Sequence, residues 1–313
     1  MVKSLCKVIV SSLGFLLLAI GLYPLQAAET DIDPSDFGSE SIGPTPKTPF
    51  SINTSFDYVS SAKIKKGFFK DDDLIFAEGT ADASMVFYHE STYSEAANVS
   101  LGYTTSWIHW EQNPWFSQEY FHTVSLALGG FSERLNNWTW RGQLQVNYDT
   151  GSHFSAEYFN YDLLLWGRYT VRENIGLHIG IFAETGMRTD RVLPVLGVDW
   201  RINPKWSLNL VFPLNVSIKY LITQRWSLAL AGRVFDSRHR VRDDQSFPKA
   251  VVRYTNTGSE LMLKYEMGTF VFNVHGGSTF GGQYRIATPH NHQPHHYKLK
   301  PSLYGGIEAD LKF

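Results

Sequence analysis

The chain has 313 residues, of which 43% are hydrophobic and 15% aromatic, yet its mean hydropathy is only −0.20. Its formal net charge of −2 gives no reason to expect a nucleic-acid partner. The single cysteine, Cys6, excludes a disulfide framework and a thiolate metal site.

The amino terminus has the pattern of an export signal. Lys3 and Lys7 precede the apolar run 8–22, which is shorter than the roughly 20 residues that a membrane-spanning helix needs. We therefore predict a cleaved signal peptide over residues 1–28, with an uncleaved membrane anchor as the alternative. Residues 29–49 contain four prolines and little to bury, which predicts a flexible periplasmic lead-in, with a lumen plug as the alternative.

From Phe50 onward, apolar and polar residues alternate with a period of two, as in residues 206–212 and 226–234. This period predicts strands with one apolar and one polar face. A soluble β-sandwich would also alternate. Repetition of the pattern over some 260 residues without a helical segment favours instead a membrane barrel, the domain predicted for residues 50–313.

The last strand of the sequence strengthens this interpretation. From Leu303 the alternate residues are apolar, whereas the opposite face carries Glu308, Asp310 and Lys312, and the chain ends on Phe313. A strand between lipid and a polar lumen has this pattern. The terminal Phe313 resembles the signal by which the outer-membrane assembly machinery recognises its clients.

Connection lengths predict the topology. Short polar connections at 172–175, 202–206, 222–226 and 267–269 alternate with longer ones, as expected of short periplasmic turns and long outer loops. Counting back from a periplasmic Phe313 predicts an all-β, single transmembrane antiparallel up-and-down barrel of about fourteen strands. The strands are predicted near 50–60, 78–90, 96–110, 118–131, 138–149, 159–172, 175–187, 192–202, 205–212, 214–222, 225–236, 250–267, 269–278 and 302–313. The very short connection at 212–214 leaves twelve strands as the alternative.

Three tryptophans, Trp138, Trp206 and Trp226, directly follow predicted periplasmic turns. Because an indole prefers the headgroup layer, these residues are predicted to form one aromatic girdle. Scattered core aromatics are the alternative.

The stretch Ile175–Arg233 resembles an uncharacterised family of outer-membrane barrels, a domain of unknown function. The resemblance rests on residues 193–200 (LPVLGVDW), 203–208 (NPKWSL), Phe212-Pro213 and Lys219-Tyr220. It implies a barrel with a signal peptide and transfers no catalytic residue.

Charged residues fall at lumen-facing positions of the strands between 160 and 202. Three cations and three anions on neighbouring strands predict a paired network, which either selects solutes by charge or only hydrates the interior and fixes strand register. The predicted network comprises Asp162, Arg168, Arg172, Glu184, Asp199 and Arg201.

The connection 278–301 holds four histidines within seven residues, at spacings that could bind a divalent transition metal. Their proline-rich and polar surroundings equally fit a solvated loop, so these residues are only weak metal candidates: His290, His292, His295 and His296. Unperturbed imidazoles would give this loop positive charge around pH 6.

A hydrolase site is not expected. The nearest Ser–His match, His275 and Ser278, is three residues apart, so the two side chains of one strand point to opposite faces. His122 falls at a lipid-facing position, which a shifted strand would explain.

The sequence therefore predicts a bacterial outer-membrane barrel, exported by its signal peptide, that acts as a passive porin-like channel for small polar solutes. A closed structural or surface-interaction barrel is the alternative, and a lipid-modifying enzyme a less favoured one. Outer-membrane lipid and the barrel assembly machinery are the expected partners, and no cofactor is expected.

Overall fold

The computed structural model describes residues 48–91, 94–151, 154–187, 190–213, 215–289 and 294–313. The predicted signal peptide, nearly all of the predicted lead-in, His290 and His292 lie outside these residues. Within the described part of the chain, no helix is long and apolar enough to cross a membrane. Among the described residues, a 3-10 turn at Ala156–Tyr158 accompanies the strands.

Fourteen strands form the barrel wall. Their bounds are β1 Phe50–Lys63, β2 Asp73–Glu90, β3 Glu95–Trp110, β4 Tyr120–Ser132, β5 Trp138–Asp149, β6 Phe159–Arg172, β7 Ile175–Gly186, β8 Arg191–Asn203, β9 Trp206–Phe212, β10 Asn215–Leu221, β11 Trp226–Arg240, β12 Val251–Met267, β13 Phe270–Thr279 and β16 Leu303–Lys312. Two further strands, β14 Gln283–Ala287 and β15 His295–Lys298, lie in the connection between β13 and β16.

The wall is closed and antiparallel. Each wall strand pairs with its sequence neighbour, β13 pairs with β16, and β16 pairs with β1, which completes the circle. The fourteen-strand prediction is confirmed, and the twelve-strand alternative is wrong because β9 and β10 are separate strands of 7 residues each. Side-chain hydrogen bonds explain two tight turns: Asn203 Oδ1 accepts from the Lys205 and Trp206 amides, and Thr223 Oγ1 accepts from the Trp226 amide.

The outer surface of the wall is apolar. On β6, the outward-facing Leu163 and Leu165 are 41% and 46% exposed. The alternate residues of this strand face inward, and one of them, Trp166, is only 6% exposed. The same alternation continues around the barrel, as expected for a wall that meets lipid outside and polar groups inside. We call the end with both wall termini and the tight turns the inner end, and the opposite end the outer end.

The outer end departs from a simple cylinder. Strand β11 continues to Arg240 and stays paired with β12 as far as Val251, whereas its pairing with β10 ends at Ala231. Residues 234–257, here called the crossing hairpin, therefore extend beyond the neighbouring β9–β10 hairpin. Strand β12 pairs with β14 in this region, and β14 pairs with β15. The prediction that β11 ends at 236 was thus too short, and β14 and β15 were not predicted.

Candidate functional site

The crossing hairpin traverses the lumen at the outer end. Phe76 on β2 stacks on Tyr254 of β12 with ring centroids 4.2 Å apart, although three wall strands separate β2 from β12. Phe121 on β4 stacks on His239 of β11 at 4.8 Å, and these strands lie on opposite sides of the barrel. Because these contacts cross the diameter of the barrel, side chains fill the outer half of the lumen between the crossing hairpin and strands β2 and β4.

A buried apolar cluster, here called the seal, fills the space between the crossing hairpin and the wall formed by β1–β4. It includes Phe76, Trp110, Phe235, Tyr254 and Tyr284, none of which is more than 6% exposed. Since burial of each aromatic side chain removes roughly 150–250 Å² of surface from water, the hydrophobic effect holds the hairpin in this position.

A chain of polar groups, here called the latch, joins the hairpin to the far wall. Ser106 donates a hydrogen bond to Glu78 at 2.8 Å and lies 3.2 Å from Ser237 Oγ. Ser237 Oγ lies 2.7 Å from His239 Nε2, and His239 Nδ1 lies 3.3 Å from Asp149 Oδ1. The latch therefore connects β2, β3 and β5 with β11 through buried hydrogen bonds, which are costly to leave unmade.

The latch contains a Ser–His–Asp series that sequence reasoning missed. The available signal was the spacing of Ser237 and His239, which are two residues apart and therefore on one strand face. A hydrolase needs a nucleophile that substrate can reach. Ser237 is only 5% exposed and its hydroxyl is surrounded by His239 and Ser106, so this arrangement acts as an internal hydrogen-bond network.

An outer cleft of about 380 Å³ ends on the latch. Phe121, Asp149 and Arg240 are among its lining residues and are each at most 3% exposed. The Arg240 backbone N–H donates to Asp149 Oδ2 at 2.8 Å, while its guanidinium donates to the Glu157 and Lys249 carbonyls. The cleft thus stops at hydrogen-bonded groups.

The opposite face of the crossing hairpin is charged. Arg191 on β8 reaches Asp236 of the hairpin at 2.7 Å and also pairs with Glu184 on β7. Arg253 of the hairpin donates to Asp236 at 2.7 Å and lies 3.8 Å from Glu184. These four residues are here called the charged seam. Arg238 adds a hydrogen bond from the hairpin to the Gly186 carbonyl.

Beside the charged seam, a row of amides and one carboxylate lines β5 and β6, with Asp162 as the register partner of Glu184; this row is here called the amide track. Gln143 donates to Gln145 at 3.1 Å, and Gln145 donates to Asn147 at 2.7 Å. Asn147 donates to both Asn160 and Asp162 at 2.7 Å. The row gives this side of the lumen a continuous hydrogen-bonding surface.

A compact buried network lies towards the inner end on β6–β8. Arg168 makes a bidentate pair with Asp199 at 2.7 and 2.8 Å, and His178 Nε2 is hydrogen-bonded to the same carboxylate. Trp166 Nε1–H donates to His178 Nδ1 at 2.8 Å, so Nδ1 is an acceptor and the Nε2 proton is directed to Asp199. The network fixes the register of three neighbouring strands.

A second His–Asp–Arg network spans the lumen. Asp57 on β1 accepts from Arg233 of β11 at 2.8 Å and lies 2.8 Å from His275 Nε2 on β13. Glu260 is 3.5 Å from the same guanidinium. Because three wall strands separate β1 from β11, these contacts cross the interior directly beneath the seal.

The structure divides the six charged residues predicted as one network. Arg168 and Asp199 form the inner pair, whereas Asp162 belongs to the amide track and Glu184 to the charged seam. The remaining two lie at the inner ends of their strands: Arg172 is the exposed last residue of β6, and Arg201 lies near the end of β8.

The predicted girdle residues lie where their strands begin. Trp138 is at the start of β5, and Trp206 and Trp226 are 40% and 41% exposed at the starts of β9 and β11. Each contacts a tyrosine on a neighbouring strand, with centroids 4.6–5.1 Å apart. The predicted assembly residue Phe313 pairs with Phe50 through two backbone hydrogen bonds of 2.9 Å.

His122 lies on the outward face of β4. Its Nδ1 is 2.8 Å from the Tyr103 hydroxyl, so a local polar partner accompanies the imidazole. This contact explains its position without a shifted strand.

Of the weak metal candidates, His295 and His296 are described. His295 packs against Trp115 at 4.1 Å, and Gln283 hydrogen-bonds to His296. Burial and the nearby positive Arg285 hold the pKa of His296 below its usual value. The described residues contain no group of three His, Cys, Asp or Glu side chains placed to hold a metal ion.

These features define the class as a closed all-β barrel with an apolar exterior and a divided lumen. The chain belongs to the family described as "Domain of unknown function (DUF6268)", whose profile matches residues 124–309. The predicted resemblance to an uncharacterised barrel family is thereby confirmed.

Relatives of this chain occur in Chlamydia species. An uncharacterized protein of Chlamydia pneumoniae is 25% identical over 290 residues, covering 86% of this chain and 88% of the relative. One of Chlamydia trachomatis is 23% identical with the same coverage.

The solved structures that are similar to this chain include two channels of low sequence identity. An outer membrane channel from Pseudomonas putida F1 gives a TM-score of 0.47 at 10% identity, covering 90% of this chain and 100% of that chain. The TodX monoaromatic hydrocarbon channel gives 0.42 at 9% identity, covering 85% of this chain and 91% of that chain. These likenesses concern the fold alone.

Proposed function

We propose that this chain is an outer-membrane β-barrel whose lumen is closed at rest. The observation that carries the proposal is the seal, in which Phe76, Phe235 and Tyr254 pack between the crossing hairpin and the opposite wall. Ions do not cross a packed apolar constriction, because no water or polar group replaces their hydration shell. An open porin would keep a continuous aqueous path.

The proposed location rests on the apolar exterior and the sequence of the chain ends. The proposal includes export by the signal peptide and recognition of Phe313 by the barrel assembly machinery. Lipid would then contact the outward-facing leucines, and the tryptophans at the inner end would occupy one membrane interface.

Passive transport of small polar solutes is the second candidate function. The polar inner half favours it, since Asn53, Asn273 and Glu308 line the lumen there through mutual hydrogen bonds. Transport would require the outer half to open.

Conductance measurements in planar bilayers test the proposal. The purified, folded protein should give no steady current, because the seal interrupts the aqueous path. Folding is verified in the same sample by the heat-dependent electrophoretic mobility that intact barrels show. Steady ohmic current from the folded wild type would contradict closure at rest and support the porin-like alternative.

A further inference from the structure

We propose that the barrel has a gated side route for small, neutral, polyhydroxylated solutes, running between the amide track and the charged face of the crossing hairpin, with the charged seam as its gate. This inference rests on the proposed closure at rest and names the route and solute class of the same lumen.

The two faces of the crossing hairpin differ in what an opening would cost. Towards β1–β4, movement would expose the aromatic residues of the seal and break the buried latch. Towards β7 and β8, the hairpin meets charged groups whose side chains already have partial access to water, with Arg191 at 34% and Asp236 at 17% exposure. Since hydration replaces polar contacts far better than packed aromatic ones, the route follows the charged face.

The wall supplies freedom of movement at the same place. The ladder between β8 and β9 ends at Leu196 and Phe212, and the ladder between β10 and β11 ends at Ser217 and Ala231. Strands β8 and β11 continue beyond these points, where contacts such as Arg191–Asp236 and Arg238 to the Gly186 carbonyl join the hairpin to β7 and β8. Side-chain contacts of this kind can break without disrupting the closed fourteen-strand ladder below them.

The chemistry of the amide track indicates the solute class. A carboxamide offers both donors and acceptors, as does a sugar hydroxyl, so Gln143, Gln145 and Asn147 can exchange their mutual hydrogen bonds for bonds to a polyol. Asp162 interacts electrostatically with Arg191 and Arg238, which connects the track to the charged seam. Opposite charges along one path favour a solute without net charge.

The decisive variant neutralises both seam carboxylates, Glu184→Gln with Asp236→Asn. It leaves Arg191 and Arg253 to repel each other, so steady conductance should appear where the wild type is silent. The matched control, Asp71→Asn with Glu157→Gln, removes two carboxylates from exposed outer ion pairs with Lys300 and Lys249. This control should remain silent.

A second opening variant, Arg191→Gln with Arg253→Gln, removes the two positive charges of the seam instead of the two negative ones. It provides an independent test if the first variant does not fold. Only variants with the heat-dependent mobility of an intact barrel are scored. If both folded seam variants are silent, the gate is overturned, whereas conductance by the wild type would overturn closure itself.

Cysteine blocking locates the route. In the open variant, a sulfonate-bearing methanethiosulfonate reagent should lower the current about fivefold or more at Gln145→Cys, because a charged group then narrows the path. The same reagent should leave the current unchanged at Ser106→Cys, which lies on the sealed face and is 0% exposed. Block at Ser106→Cys but not at Gln145→Cys would overturn the route.

Proteoliposome swelling tests the solute class. Sorbitol should enter vesicles that contain the open seam variant and should not enter those that contain wild type or the matched control. Permeation of potassium chloride without sorbitol would overturn the assignment to polyhydroxylated solutes.

Discussion

Replacement of Asp199 by Asn tests the inner network on β6–β8. The Asp199 side chain is 7% exposed and accepts two hydrogen bonds from Arg168 and one from His178. Removal of one partner from a buried ion pair costs about 3–5 kcal/mol, because the other charge remains unpaired. Arg168 is 27% exposed and partly hydrated, so we expect a loss near the lower end, about 3 kcal/mol. Urea unfolding in lipid vesicles measures this change in the free energy of unfolding.

A double-mutant cycle separates this pair from a general effect of substitution. The variant Asp199→Asn/Arg168→Gln should lose about 1–2 kcal/mol less than the sum of the two single losses, because no charge is left behind. Glu157→Gln is the control, since its ion pair with Lys249 lies on the surface, with side chains 48% and 39% exposed; this change should cost only about 0–1 kcal/mol. Equal small losses for Asp199→Asn and Glu157→Gln would refute the reasoning.

Three further predictions concern the outer end. Phe76→Ala should lower the free energy of unfolding by about 3–5 kcal/mol in urea, because it opens a cavity in the seal; a loss under about 1 kcal/mol would show that the site is loosely packed. Ser237 in the folded barrel should not react with a fluorophosphonate probe, and labelling that Ser237→Ala abolishes would show an accessible nucleophile. His296 should titrate below 6.5 in NMR, and Arg285→Gln should raise its pKa by removing a positive neighbour. Since the folded pKa is lowered, His296 opposes folding as the pH falls through 6.5, and a pKa at or above 6.5 would contradict the assignment.

The wall could be predicted because membrane strands obey two simple patterns. Alternation with a period of two identified all fourteen wall strands, and the tight turns at Asn203 and Thr223 have side chains that accept hydrogen bonds from the following amides. Phe313 provided a fixed end from which connection lengths could be assigned to alternate sides. Even the short strands flanking 213–214 were separated correctly, because their aliphatic residues remain on one face.

The crossing hairpin could not be predicted from the same patterns. Alternation distinguishes two faces of a strand, but it does not distinguish lipid from a packed interior. Phe235 and Tyr254 are lumen-side residues of the seal, yet aromatic residues near strand ends also fit a membrane interface. Histidine at 239 and serine at 237 fit a hydrated lumen equally well. Their partners on β3 and β5 are more than 80 residues away in sequence, so only the closed fold brings them together.

The short β9–β10 hairpin connects these observations. If β9 and β10 matched the length of their neighbours, β11 would remain paired along its upper edge and would have no reason to leave the wall. The pairing of β10 with β11 ends at the residue pair Ser217 and Ala231. Beyond that pair, the free edge of β11 must find other partners for its backbone and side chains. Asp149, on the far wall, accepts a hydrogen bond from the Arg240 backbone N–H. Arg191 of β8 pairs with Asp236 of β11 across the space above the β9–β10 hairpin. The length of one hairpin therefore determines both the closure of the lumen and the place at which charged side chains alone hold it shut.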